Sequence, residues 1–134
     1  MPKYLISGHL PDNFDPSAMT EEMANEIYAL NDEMDAAHVT VFACGLAPAG
    51  SAKSLRVQPN GEVLVTDGPF LEAKEHVGGI SIIEAADMDE ALKWARRGAV
   101  ACRASSEVRE VFFMPSPKQL SEMANAGGAT GKVG

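Results

Sequence analysis

Positive charge, cysteine and long apolar runs are all scarce in this chain, and each scarcity removes a class of function. Eleven Lys and Arg stand against nineteen Asp and Glu in 134 residues, a formal net charge of −8. Neutralising a phosphate backbone takes clustered cations. The one dense basic run, Arg96-Arg97, lies near a helix end, where the helix dipole itself favours cations. Direct nucleic-acid binding is not expected. The two cysteines, Cys44 and Cys102, are too few and too far apart for a metal cluster or a CxxC redox pair, so reduced, buried thiols are expected. The three histidines are scattered with no HxH or HxxxH spacing, and no phosphate-cradling glycine-rich motif is present. Neither a metal nor an organic cofactor is expected. No apolar run approaches the roughly 20 residues that span a bilayer, and the opening Met1-Pro2-Lys3-Tyr4-Leu5-Ile6-Ser7 is too short in apolar residues for a signal peptide. A cytoplasmic protein without membrane contact is the expectation.

What is present suits one globular domain. Apolar residues make up 46% and charged residues 22%, an ordinary balance for a folded chain of this length. Residues 3–7 read as a strand, followed by a loop to about Pro16. A helix from Thr20 to Ala37 is capped by Thr20, with Met23, Ile27, Leu30 and Met34 along one face. Residues 38–44 read as the second strand. Asn60-Gly61 between the runs 55–58 and 63–66 signals a hairpin in which both residues tolerate positive φ. Residues 77–84 form another strand, whose Gly78-Gly79 pair predicts a bulge or a close approach to the backbone by another chain or a ligand. Asp87 and Glu90 predict a capping box for a helix carrying Leu92, Ala95 and Ala99 and stopping around Gly98. Residues 107–113 alternate as the last strand. Beyond Pro115 to Pro117 a short helical turn or two through Leu120 and Met123 is expected, then a disordered tail from Gly127.

Strand, helix, strand, hairpin, strand, helix, strand is the split βαβ pattern of an α+β, ferredoxin-like domain with an inserted β-hairpin. The domain is expected over residues 1–115, with a partly disordered C-terminal extension over 116–134. A single sheet covered by two helices leaves its other face bare, exposing more apolar surface than a soluble monomer tolerates. A homodimer, sheet against sheet, is expected, with a ligand cavity enclosed between the copies.

The densest chemistry lies between Val65 and Gly79. Thr66-Asp67-Gly68-Pro69-Phe70 leaves a strand sharply, because Pro69 fixes its own φ and pushes Gly68 out of the α region. Asp67, Gly68, Pro69, Phe70, Glu72, Lys74, Glu75, Gly78 and Gly79 resemble the motif of the YCII-related domain family, in the branch whose members read Asp-Gly-Pro-Phe-Ala-Glu-Thr-Lys-Glu before a Gly-Gly strand. Leu71 and Ala73 depart from it conservatively. The likeness runs from Lys3-Tyr4-Leu5-Ile6 to Glu107-Val108-Arg109. The resemblance implies a ferredoxin-like protomer that dimerises into an α/β barrel. Proteins on related dimeric barrels include lactone isomerases, cofactor-free monooxygenases and a dehydrochlorinase, while members of this branch are often encoded beside or fused to extracytoplasmic-function sigma factors. It thus leaves two functions open: a cofactor-independent enzyme for proton transfer, elimination or isomerisation on a small molecule, and a noncatalytic ligand-binding or regulatory module whose acidic surface docks on a basic partner such as a sigma factor.

Four residues are candidates for catalysis. Asp67 at its strand end is either a general base in a desolvated cavity or a turn residue whose carboxylate accepts backbone N–H groups. Lys74 is either half of a solvated charge pair with Glu75 or a cation that, near an aspartate at a neighbouring strand end, binds a carboxylate or enolate oxygen of a substrate. Glu75 follows it and would point to the opposite face of an extended strand. His9, after the first strand, has a place at a strand end where functional groups collect, whereas His76 reads as a surface imidazole. In smaller members of the family a histidine on the first helix and an aspartate have been read as a catalytic pair. The helix from Thr20 to Ala37 has no histidine, so that pair does not carry over.

Overall fold

The computed structural model describes residues 1–12, 14–69, 73–112 and 115–126. Phe70, Leu71 and Glu72 of the motif, Phe113 at the expected end of the last strand and the tail from Gly127 lie outside them. Six strands and three helices follow in the order β1 (Lys3–Pro11), α1 (Glu21–Ala36), β2 (Thr40–Gly45), β3 (Lys53–Val57), β4 (Val63–Asp67), β5 (Glu75–Glu84), α2 (Met88–Cys102), β6 (Ser105–Val111) and α3 (Pro117–Asn125). Short 3-10 turns at Pro16–Ala18 and Ala49–Ser51 punctuate the loops. Four strands form one antiparallel sheet in the order β2-β5-β1-β6, which is the ferredoxin-like arrangement, and β3 and β4 pair only with each other as the inserted hairpin.

Local chemistry explains where the helices start and stop. The Thr20 hydroxyl accepts the Met23 N–H at 3.1 Å, satisfying one of the orphan donors of the first turn of α1. At the other end His38 takes φ 58°, Val39 N–H reaches the Met34 carbonyl and His38 N–H the Asp35 carbonyl, a Schellman close made without glycine. Helix α2 begins as the capping pattern predicts. Asp87 accepts the Glu90 N–H at 2.9 Å, and Glu90 reaches back to the Ala86 N–H at 2.8 Å. It does not stop at Gly98. It runs on to Cys102 and closes at Arg103, φ 49°, because a lone helical glycine costs only about 1 kcal/mol against alanine and the packing beyond it outweighs that.

The core lies between the helices and one face of the sheet. Tyr4 and Ile83 from adjacent strands meet Leu30 and Met34 of α1 and the small Ala91 and Ala101 of α2, with Ile6, Ile27, Trp94 and Val108 packed around them. The buried face of α2 is Ala91, Ala95 and Ala101, so only Ala95 of the three expected positions is buried. Paired ions bridge the helices on their solvent side: Glu33 holds Arg97, and Glu26 holds Arg103 at 2.6 Å. Each arginine keeps its glutamate's carboxyl below the ordinary carboxylate value.

Three sequence expectations change here. Strand β1 continues to Pro11 rather than ending at Ser7, because β5 starts as early as Glu75 and supplies it with a partner throughout. His9 is therefore a strand residue. The turn of the hairpin bends at Pro59-Asn60 and needs positive φ only at Gly61, 88°, while Asn60 uses its side chain to accept the Glu62 N–H. Both cysteines are exposed rather than buried, Cys44 in β2 and Cys102 at the end of α2, although partial desolvation still pushes the Cys102 thiol up and away from the reactive thiolate.

Helix α3 is capped by a reciprocal Ser116–Gln119 box and has no buried residue. Removal of residues 118–134 is expected to leave thermal unfolding cooperative, with the midpoint within a few degrees of the full chain by circular dichroism. A loss of cooperativity would show that this segment packs on the core.

Candidate functional site

Strand alternation sends every second side chain away from the helices. Tyr4, Ile6, Ile83 and Val108 point to the core, so their neighbours Leu5, Ser7, Ile82, Glu107 and Arg109 lie on the uncovered face. The register places Leu5 between Ile82 and Arg109, Ser7 between Ile80 and Glu107, and Phe42 and Cys44 of β2 opposite Ile82 and Ile80. The face is thus divided. Phe42, Ile80, Ile82 and Leu5 make an apolar half toward β2, while Ser7, His9, Glu107 and Arg109 make a polar half toward β6.

His9 is the titratable centre of that polar half. Its Nε2 shares a 3.0 Å hydrogen bond with the Ser7 hydroxyl two residues earlier on the same face, and a Glu107 carboxylate oxygen lies 3.9 Å from the same nitrogen. The His9 side chain is only 21% exposed. It can accept the Ser7 proton in one tautomer or donate to the hydroxyl oxygen in the other. Lys3 and Glu84 pair at 3.6 Å at the far end of the face.

Asp67 stands elsewhere. Register pairs it with Lys53 across the hairpin, and the Lys53 ammonium donates to its carboxylate. The amine beside Asp67 is therefore Lys53 and not Lys74, and the carboxylate is 88% exposed. The sharp exit after Asp67 is present, and it is made by the glycine. Gly68 takes φ 89°, its N–H donates to the Ala52 carbonyl at 2.7 Å, and its own carbonyl accepts the hydroxyl of the buried Ser54 at 2.7 Å. A side chain at Gly68 would meet open space but an unfavourable φ. Gly68→Ala is therefore expected to cost about 1–2 kcal/mol in chemical denaturation, and an unchanged midpoint would show that the turn relaxes.

Lys74 lies just before β5, where its carbonyl accepts the Asp12 N–H at 2.9 Å, and Glu75 opens the strand opposite Pro11. His76, expected at the surface, is only 11% exposed in its side chain and meets the Asp12 carboxylate at 2.6 Å. That pair joins residues 64 apart in sequence, and nothing in either local sequence announces it. The Ser7–His9 contact, in contrast, follows from the two-residue period of β1 once the strand is known to include His9.

The glycine pair has a structural explanation. β1 and β5 shift register at Gly8 and His9 opposite Gly78, which is the bulge. A Cβ on Gly78 would come within 2.4 Å of Leu10 Cδ1, and one on Gly79 within 3.2 Å of the Cys44 carbonyl oxygen. What approaches this backbone closely is the protomer's own β1 and β2. The bulge also turns His76 to the opposite face from His9.

Two cavities open on the helix side. A groove of about 440 Å³ runs between α1 and α2, bordered by Leu30, Val100 and the Glu33–Arg97 pair, and another of about 650 Å³ borders Asp87, Trp94 and Arg97. Arg97 lies over the Trp94 ring at 5.3 Å. None of His9, Asp67, Lys74 or Glu75 lines either one. Among the described residues no cluster of three or more His, Cys, Asp or Glu is arranged to hold a metal, and no helix is long and apolar enough to cross a membrane.

The family model of the YCII-related domain matches residues 3–115. A stretch of 51 residues is 47% identical to an uncharacterized protein of Rhizobium meliloti (strain 1021), covering 38% of this chain and 40% of that protein. With the match running from β1 past the end of β6, the chain belongs to the YCII-related domain family.

Proposed function

We propose that this YCII-related protein works as a homodimer whose two uncovered sheet faces enclose a chamber, and that His9 moves a proton on a small oxygenated molecule held there. The observation that carries the reading is the placement of a mostly buried imidazole, hydrogen-bonded to Ser7 and near Glu107, in the polar half of a sheet face whose other half is apolar. Imidazole is the side chain best suited to accept and return a proton at neutral pH. Leu5, Ile80 and Ile82, on the inner strands of that face, would hold the carbon skeleton of a ligand. Arg109, on the same face but opposite Leu5 rather than His9, offers a cation to a carboxylate at the far end of a ligand. No metal or organic cofactor enters the reading, because a positioned base and a cation suffice for isomerisation or elimination next to a carbonyl.

Deuterium exchange from solvent into a panel of small keto acids and unsaturated lactones, followed by proton NMR, tests it. Exchange is expected in at least one compound, falling by a factor of about 100 or more in His9→Gln, the scale of general acid–base catalysis, with unchanged circular dichroism. Compounds that broaden or shift on binding without exchanging in wild type would instead identify a noncatalytic binding module. Exchange that survives in His9→Gln would remove His9 from the reaction.

A further inference from the structure

Among the described residues the β3–β4 ribbon joins no strand of the main sheet. Its two strands pair only with each other, and an isolated two-stranded ribbon is at best marginally stable in water. One side of it is apolar. Leu55 pairs with Val65 and Val57 with Val63, and all four are more than half exposed. The described contacts tie the ribbon down at its base, through Gly68 to Ala52, Ser54 to Gly68, and the Ala49–Ser51 turn against β5. The same chain also leaves the Leu5, Ile80, Ile82 and Phe42 face of its main sheet bare.

The surface is large for the mass of the chain. The chain exposes 9673 Å², whereas a compact monomer of its 14.2 kDa exposes about 6,800 Å². A standard interface takes about 800 Å² from each partner.

We propose that the ribbon is an arm exchanged between two copies of this chain. Its apolar side lies against the four-stranded sheet of the other copy, at the rim of the chamber. Each chain carries one orphan ribbon and one bare sheet, so a two-fold axis gives every ribbon a sheet and every sheet a ribbon, with no unmatched half left over. A different protein would have to match both surfaces at once. The register puts Lys53 and Asp67 on the same side as Leu55, Val57, Val63 and Val65. The arm therefore carries that ion pair to the partner's chamber, and each site contains His9 from one chain and Asp67 from the other. This rests on the dimeric chamber proposed above and adds where its second carboxylate comes from.

Mixed dimers of isotope-labelled and unlabelled wild-type chains, examined by isotope-filtered NMR, test the arm directly. Cross-chain proton contacts are expected from Leu55, Val65, Lys53 and Asp67 to the Phe42 and Cys44 side chains of the rim strand β2. In sedimentation, Leu55→Lys with Val65→Lys should weaken the dimer by a factor of about 100 or more while the circular dichroism of the protomer is kept. A wild-type dimer without cross-chain contacts from the ribbon overturns the arm and leaves the chamber standing. A wild-type chain that stays monomeric at about 100 μM, far above the dissociation constants usual for interfaces of this size, overturns both.

Discussion

Ile83→Ala is expected to destabilise the chain by about 2–5 kcal/mol, the range for removing three carbons from a packed core. Ile83 has no exposed surface and is the largest fully buried side chain among the described residues. It sits in β5, opposite Tyr4 of β1 and Thr40 of β2, where the sheet meets both helices. Ala85, Ala91 and Ala101 in the same cluster have no side chain to move into the cavity, so relaxation is left to Leu30 and Met34 and fills it only in part. For a chain of this size the melting midpoint should fall by on the order of 10 °C, read at one fixed concentration because association contributes to apparent stability. A shift of less than a degree or two would mean that the core between sheet and helices is not where the stability resides.

Ile82→Lys, one residue earlier in the same strand, should do the opposite. Its side chain lies on the uncovered face between Leu5 and Phe42. In a lone protomer a lysine there keeps its ammonium in water and lays its stem along the neighbours, so the fold survives. In a dimer closed over that face the ammonium would be buried without a partner, which is costly. The expected result is a protomer with unchanged circular dichroism whose dimer dissociates at least about 100-fold more readily in sedimentation. A variant that dimerises like wild type would mean that the face is not the interface, and with it the proposed chamber would fall.

Several features are legible in the amino-acid sequence alone. The Thr20 and Asp87 caps, the Met23 to Met34 stripe, the Asn60-Gly61 hairpin and the sharp exit from the strand before Pro69 are decided by residues within a few positions of one another along the chain. The order of these elements is enough for the ferredoxin-like class. Gly98 misleads because a helical glycine is a weak stop signal, outweighed by packing that lies outside any local window. His9 moves from loop to strand for a similar reason. Whether β1 ends at Ser7 or Pro11 depends on a partner strand about seventy positions away.

The candidate site is less legible than the fold. Asp67 and Lys74 are close in sequence, yet Asp67 meets Lys53 across a ribbon, and His76 meets Asp12 across 64 positions of chain. The chain by itself determines the elements, their caps and turns, and the family, because those depend on backbone conformations and side-chain periods set by near neighbours. Only the tertiary structure decides that Ser7 and His9 share the bare face while His76 is turned to the other. That choice depends on the register between β1 and β5, where a bulge at Gly78 changes which side chains face which side. Cross-strand register is set by long-range packing on the helices, and no local stretch of sequence contains it.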